Sequence, residues 1–586
     1  MNERSFGPGL TSAGASFRLW APAAERVDVV LETAHPLRRG DDGWFSADIA
    51  GVKAGARYKF RIDDEIDVPD PASAFQPDDV AGRSEVIDHP AYKWRAADWR
   101  GRPWQETTVI ESHVGTFTRE GSYRAMIGKL DHLVTTGITA LELMPLADFP
   151  GRRNWGYDGV LWYAPDSVYG RPDDLKALID EAHLRGLMVF LDVVYNHFGP
   201  EGNYLGRYAP AFFTEAQTPW GRAIDYRVRQ VRDFAIENAL YWLREYRFDG
   251  LRLDAVHAIV DPSEISMLSD LSSAVGDFAA GTNRHIHLML ENDDNAARLL
   301  DANQDPPRGK YRAQWNDDYH HAWHVLLSGE IHGYYGDYQT SPINDIARVL
   351  GSGFVYQGEA SAHRGGQLRG EPSGTLAPTA FVNFLQNHDQ IGNRALGDRL
   401  ENNADPRTIE AALAITLLAP MVPLLFMGQE WGSKNPFPFF CDFQGDLAEA
   451  VRQGRRKEFA GAYAKHGDEI PDPLDASTVQ SAVLDWSARD DAPGRRRLAL
   501  VRELLAIRRS KIVPRLAGAS FGEARTNDNG LLTAHWPMGD GSTLSLIANL
   551  SDRDLSHEYR ETKGTQIWGT ELNQSLPPWS VFWRIG

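Results

Sequence analysis

The sequence predicts an α/β protein: a (β/α)8 barrel with an N-terminal β-sandwich domain and a C-terminal all-β domain. Three observations carry this. The chain has 586 residues, too many for one hydrophobic core when domains run roughly 100–200 residues and barrels somewhat more. From Thr107 onward, eight short apolar runs alternate with helix-like stretches, the pattern of a parallel sheet built from strand–helix units. Both flanks lose that rhythm and read as short alternating strands separated by turns.

The elements follow in order. Residues 1–92 are assigned to the sandwich. "SFRLWAP" and "RVDVVLE" alternate polar and apolar, and "DDGWFSADIAGVKAGARYKFRID" supplies two more strands around glycine-rich turns. A connector bearing Pro and Trp leads into residues 93–512, assigned to the barrel. "TVIESHVGTF" is its first strand, "SYRAMIGKLDHLVTTG" its first helix and "TALELMP" its second strand. In "RPDDLKALIDEAHLRG", Pro172 opens a helix and Gly186 closes it, and "LMVFLDVVYNH" is the third strand. A helix from about Arg227 to Tyr246 precedes the fourth strand, within "FDGLRLDAVHAI". Another, near Pro262–Ala280, precedes the fifth, "IHLMLEN". "YRAQWN", "TAFVNFLQNH" and "VPLLFMGQE" complete the eight. The helix "TIEAALAITLLA" lies before the last of them, and "RRRLALVRELLAIRRSK" closes the barrel. Residues 513–586 hold "GLLTAHWP", "STLSLIANLS" and "SVFWRIG" and form the C-terminal β-domain.

Composition narrows the function classes. The formal net charge is −19, which argues against nucleic acid or an anionic membrane as the partner. A single cysteine, Cys441, allows no intrachain disulfide and no cysteine-held metal. With no apolar run at the N-terminus long enough for a signal peptide, the expected location is cytoplasmic. The longest apolar stretch is broken by Pro420 and Pro423 and reads as a buried helix followed by a buried strand. Aromatic residues are plentiful, with 17 Trp, 20 Tyr and 25 Phe. They serve cores first, and they also suit the flat faces of sugar rings.

The fourth strand raises the question of function. Leu251 and Leu253 alternate with Arg252 and Asp254, so the two charges share one face. In a closed parallel barrel the chemistry sits at the C-terminal ends of the strands. Asn196-His197, Arg252 with Asp254, Glu291, and His388-Asp389 all stand at such ends. A strand-end aspartate is commonly a cap, and Arg252 with Asp254 reads equally well as a structural ion pair. Four strands ending in polar clusters point instead to one site.

"DVVYNH", "GLRLDAV", "LMLEN" and "FLQNHDQ" resemble, in order, the four signature regions of the α-amylase superfamily, over roughly Thr107 to Ser510. The resemblance implies Asp254 as nucleophile, Glu291 as general acid/base and Asp389 as the carboxylate that stabilises the transition state. It implies Arg252, His197 and His388 around the sugar before the cleaved bond. "NWGYDG" resembles the segment that gives that sugar a stacking tyrosine, here Tyr157. Arg252 beside Asp254 is expected to keep the nucleophile ionised and aimed. The spacing of His197 and His388 carries no metal signature, so neither a catalytic metal nor a cofactor is expected.

"FRLWAPAAERVDVVL" resembles the sandwich of branching enzymes, debranching enzymes and maltooligosyltrehalose trehalohydrolases. "RLDAVHAI", "ENDDN", "QNHDQIGNRA", "LFMGQEW" and "GRRKEFA" together look most like the last of these. That resemblance implies maltooligosyl trehalose and related α-glucans as substrates, with His257 and Asp293 as contacts to the leaving disaccharide. A glycogen branching or debranching enzyme stands as the alternative, and beyond it a non-catalytic glucan-binding protein. Whether the sandwich grips glucan through Trp20 or Trp44 is open at this level.

Overall fold

The computed structural model describes residues 5–305, 308–527, 529–556, 564–569 and 575–586. Eight parallel strands close into a barrel in chain order. They are β1 (Val109–Ser112), β2 (Ala140–Leu143), β3 (Met188–Val193), β4 (Gly250–Leu253), β5 (His287–Leu290), β6 (Ala313–Trp315), β7 (Phe381–Phe384) and β8 (Val422–Phe426). Closure comes from β8 pairing with β1, Leu424 opposite Val109.

Alternation along each strand sorts its side chains into an inner and an outer set. The inner set near the N-terminal ends is apolar: Val109, Ala140, Met188, Phe190, Met289 and Val382 belong to one buried cluster. Trp104 closes that mouth. Its indole N–H donates to the Thr379 carbonyl at 2.7 Å, and its ring packs against Phe190 and His287. Gly250 makes room for this layer, since a Cβ there would lie 2.4 Å from the His287 carbonyl oxygen and 2.9 Å from Phe190. Two residues further along the same face the character reverses. Glu111, Glu142, Asp192 and Arg252 all point inward and are buried. The barrel is therefore apolar at its base and charged just beneath its rim.

The helices sit where Pro, caps and Gly place them. Pro172 begins the helix Pro172–Leu184, and Asp174 accepts the Arg171 N–H at 2.9 Å. Leu175, Leu178, Ile179 and Ala182 face the barrel; each such Leu or Ile stabilises the packing by roughly 1.5–3 kcal/mol. The expected first helix is two, Tyr123–Ile127 and Leu130–Thr136, because Gly128 caps the first. The first strand is shorter than expected, for Val114–Phe117 already turns helical. The helix expected near Pro262 begins at Met267, where the Ser266 hydroxyl accepts the Ser269 N–H. Between β6 and β7 the chain inserts the helices Asp317–Ser328 and Pro342–Ser352 and the hairpin Glu359–Ala360 with Leu368–Arg369. This insertion forms one wall of the site described below.

The N-terminal region forms two facing antiparallel sheets around a core that includes Phe17, Leu19, Val29 and Phe60. Trp20 is buried there, and Trp44 is covered by Phe6 at 4.9 Å and by the Arg18 guanidinium at 4.7 Å. A five-stranded antiparallel sheet forms the C-terminal region. Among the described residues no helix is long and apolar enough to cross a membrane.

Candidate active site

A cleft of about 650 Å³ opens over the C-terminal ends of the barrel strands. Asp254, Glu291, Asp389, Tyr157, His197, His388, His257 and Asp293 all line it. Arg252 lies beneath them with none of its surface exposed. The sequence expectations thus converge from β3, β4, β5, β7 and the loop after β2.

Arg252 organises the floor. Its Nη1 donates to Asp192 at 2.7 Å and to Asp254 at 2.9 Å, and its Nη2 donates to Glu291 at 3.0 Å. The guanidinium plane rests 4.2 Å from the Trp315 ring centroid. A planar, permanently charged fork can address three carboxylates from one fixed position. The turn after Asp254 completes the arrangement. Ala255 adopts a left-handed conformation with φ of 41°, uncommon and costly for a residue with a Cβ. That kink aims the Ala255 N–H at Glu291 Oε2, 2.8 Å away. Both of these bonds to Glu291 fall on Oε2.

Electrostatics refine one expectation. Burial, followed by the charge of Glu291, raises Asp254 well above the usual carboxylate range, and Arg252 works against them. Arg252 alone therefore does not set the ionisation of Asp254. Asp254 and Glu291 share one guanidinium, through Nη1 and Nη2 respectively. Asp192 is pushed up to about 6 by burial, with Arg252 opposing.

Asp389 is held differently. Asn387 caps the short helix His388–Gly392, its side chain accepting the Asp389 N–H at 2.9 Å. His388 Nε2 lies 3.4 Å from Asp389 Oδ1. Burial opposes charge on Asp389, yet the neighbouring His388 outweighs it and leaves the carboxyl below its ordinary value. Burial likewise disfavours a charged His388, but Asp389 and Glu111 together raise the imidazole well above its usual range. Both ring nitrogens of His388 thus face a carboxylate.

The remaining sugar-site candidates divide by role. Tyr157 stacks on His388 with centroids 4.9 Å apart and donates its hydroxyl to Asp192 at 2.6 Å. His197 is drawn down to about 4 by burial; it bonds the Tyr157 carbonyl at 3.0 Å and stacks on Trp220. Asp293 is paired with Arg364 and, at 2.9 Å, with Arg369, both from the β6–β7 insertion. Its backbone N–H meets His257 Nδ1 at 3.3 Å. Among the described residues no group of three His, Cys, Asp or Glu is placed to hold a metal ion.

Several lining residues escaped the sequence reading: Trp155, Trp220, Tyr334, Arg364 and Arg369. They sit on loops, a short 3-10 turn (Gly333–Tyr338) and a two-residue hairpin strand (Leu368–Arg369), too short to carry a periodic pattern. Glu111, Glu142 and Asp192 carried a signal that was legible, since each is a carboxylate in an apolar strand, as Arg252 is a cation in one.

The model of the alpha amylase catalytic domain matches residues 92–220. Carbohydrate-binding module 48, the isoamylase N-terminal domain, matches residues 5–74, and a domain of unknown function matches 519–583. A crystal structure of a Salmonella typhimurium protein described as an alpha amylase superposes with a TM-score of 0.94 at 43% identity, covering all of both chains. The malto-oligosyltrehalose trehalohydrolase of Deinococcus radiodurans is 44% identical over 85% of this chain and 81% of its own length. The chain belongs to the malto-oligosyltrehalose trehalohydrolase family. The member from Saccharolobus solfataricus is 39% identical over 86% of this chain and 87% of its own. Membership makes the chain a glycoside hydrolase of the alpha-amylase superfamily.

Proposed function

We propose that this chain hydrolyses the α-1,4-glucosidic bond next to the terminal trehalose of maltooligosyl trehalose, releasing trehalose with retention at the cleaved carbon. Asp254 attacks the anomeric carbon in the ionised form that Arg252 favours, while Glu291 gives its proton to the departing trehalose oxygen. The glycosidic C–O bond breaks and an Asp254–sugar ester forms. Water then attacks that ester, Glu291 takes the water's proton, and the carboxylate of Asp254 leaves. Asp389, kept ionised beside His388, faces the positive charge that develops on the ring.

The observation that carries this reading is the shared fork: Asp254 and Glu291 are bonded to the two ends of one guanidinium. Two carboxylates held by one guanidinium support the close-pair arrangement of retaining enzymes, about 5–5.5 Å, over the wider one of inverting enzymes, about 6.5–9.5 Å. His257 and Asp293, on the wall beside Glu291, are the contacts for the leaving disaccharide. A cytoplasmic setting and the domain limits 1–92, 93–512 and 513–586 belong to the same reading.

Product analysis tests it. Incubation with maltooligosyl trehalose should yield free trehalose and, at early times, the α-anomer of the shortened chain by NMR. New or lost α-1,6 branches on a branched glucan, with no trehalose from the first substrate, would assign the chain to branching or debranching instead.

A further inference from the structure

Glu111 sits on β1, across the barrel rim from β4 and remote in sequence from the signature segments. It is 1% exposed. Its Oε2 accepts the backbone N–H of His388 at 3.0 Å, and its Oε1 bonds the His388 ring at Nδ1. On the other side of that ring, Nε2 faces Asp389 at 3.4 Å. One carboxylate therefore fixes both the main chain and the imidazole of the residue that stands against Asp389.

Resting on the function proposed above, we infer that Glu111 is a positioning residue for the reaction: it holds His388 as an imidazolium so that Asp389 remains ionised inside the cleft. Glu111 does not touch substrate; it acts through His388. A buried imidazole beside one carboxylate shares a proton with it ambiguously. With a carboxylate on each nitrogen, the doubly protonated ring is the form in which both N–H groups donate.

The other groups facing His388 agree with this. Tyr157, stacked on the ring, is a neutral phenol, since burial raises it well above its ordinary range. Trp155 meets the ring edge-on at 5.5 Å and Trp315 lies 6.2 Å away; neither ionises. His113, whose imidazole is drawn down to about 4 by burial, adds no positive charge. Asp192, on β3, and Glu142, beside Glu111 on β2, both feel the His388 charge. Arg252 supplies the opposing positive charge from β4. Glu142 has neither oxygen hydrogen-bonded, and burial, then Asp192 and Glu111, raise it well above its ordinary value, which favours its neutral form. Glu111 is thus the carboxylate besides Asp389 that is in contact with the ring.

The test is Glu111→Gln, which keeps an acceptor for the His388 N–H and removes the charge. With maltooligosyl trehalose the expected result is a fall in kcat of about 10²-fold, the size of a lost transition-state interaction, with KM changed less than about threefold. The pH–rate profile should narrow from both sides. Asp389 would protonate at higher pH, moving the acid limb up, and His388 would lose its proton at lower pH, moving the alkaline limb down. A profile superimposable on the wild type with a uniformly lower rate would overturn the inference and leave Glu111 a packing residue. The charge state is read independently of substrate by ¹⁵N-histidine NMR of the full chain, with His388→Asn assigning the signal. Two protonated ring nitrogens at pH 7.5 in the wild type are expected. A neutral His388 there would sink the inference even if Glu111→Gln failed to fold. Absence of trehalose release by the wild type, with His388 found charged, would count against the substrate assignment and leave the role of Glu111 standing.

Discussion

The guanidinium carbon of Arg252 lies over the Trp315 ring, 4.2 Å from its centroid, while the guanidinium nitrogens reach Asp192, Asp254 and Glu291. The Trp315 ring backs the guanidinium and the three carboxylates fix the direction of its donors. A lysine has neither the plane nor the second donor arm. Arg252→Lys is expected to lose at least about 10²-fold in kcat. Arg252→Met, which leaves buried Asp192 and Asp254 and half-buried Glu291 without their cation, should also lower stability by about 3–5 kcal/mol. Steady-state kinetics and urea unfolding measure the two effects separately.

Glu291 is assigned the proton transfer to the leaving group. Glu291→Gln should abolish turnover of maltooligosyl trehalose, whose departing oxygen needs that proton. An α-glucosyl substrate with an acidic phenol as leaving group should still form the Asp254 ester, visible by mass spectrometry of the intact protein. Asp254→Asn should fail with both substrates. An Asp254→Asn variant that forms the ester would remove the residue from its role.

Gly392 has no room for a methyl group. A Cβ at this position would lie 1.8 Å from Trp155 Cζ2. Trp155 packs edge-on against His388, so Gly392→Ala must displace an indole that contacts the ring beside Asp389. A loss of about 1–3 kcal/mol is expected from overpacking. The drop in kcat should exceed any change in KM. Thermal unfolding and kinetics at one pH read both.

Asp148 offers a pH test away from the cleft. It is buried, neither carboxyl oxygen has a hydrogen bond, and burial followed by Asp166 raises it well above its ordinary value. Asp166 is itself pushed up to about 7 by burial. A carboxyl raised in the fold contributes fully below its unfolded value, about 3.9. That contribution is lost as pH rises toward the folded value, because the unfolded chain gains by ionising. Asp148→Asn is therefore expected to melt several degrees higher than the wild type at pH 8 and at the same temperature near pH 4. Equal melting temperatures at pH 8 would contradict the assignment.

Much of this was readable in the residues. Arg252 and Asp254 share a strand face by period-2 alternation alone, and all eight barrel strands were placed by their apolar runs. Gly128 was passed over as part of a longer helix because a single glycine is tolerated inside one. The β6–β7 insertion, with Arg364 and Arg369, carried no period at all. Yet that insertion holds Asp293 in place.

The sequence by itself determined which side chains stand at the strand ends, because alternation and chain order are local properties. Only the tertiary structure decided what those side chains are to one another. That His388 lies between Glu111 and Asp389, 277 positions away from the former, depends on barrel closure, which brings β1 and β8 together and places β7 beside them. It also sets which form each ionisable group favours. The protonation of Asp254, Glu142 and His388 is set by burial and by neighbours from other strands, and neither quantity exists until the chain is folded.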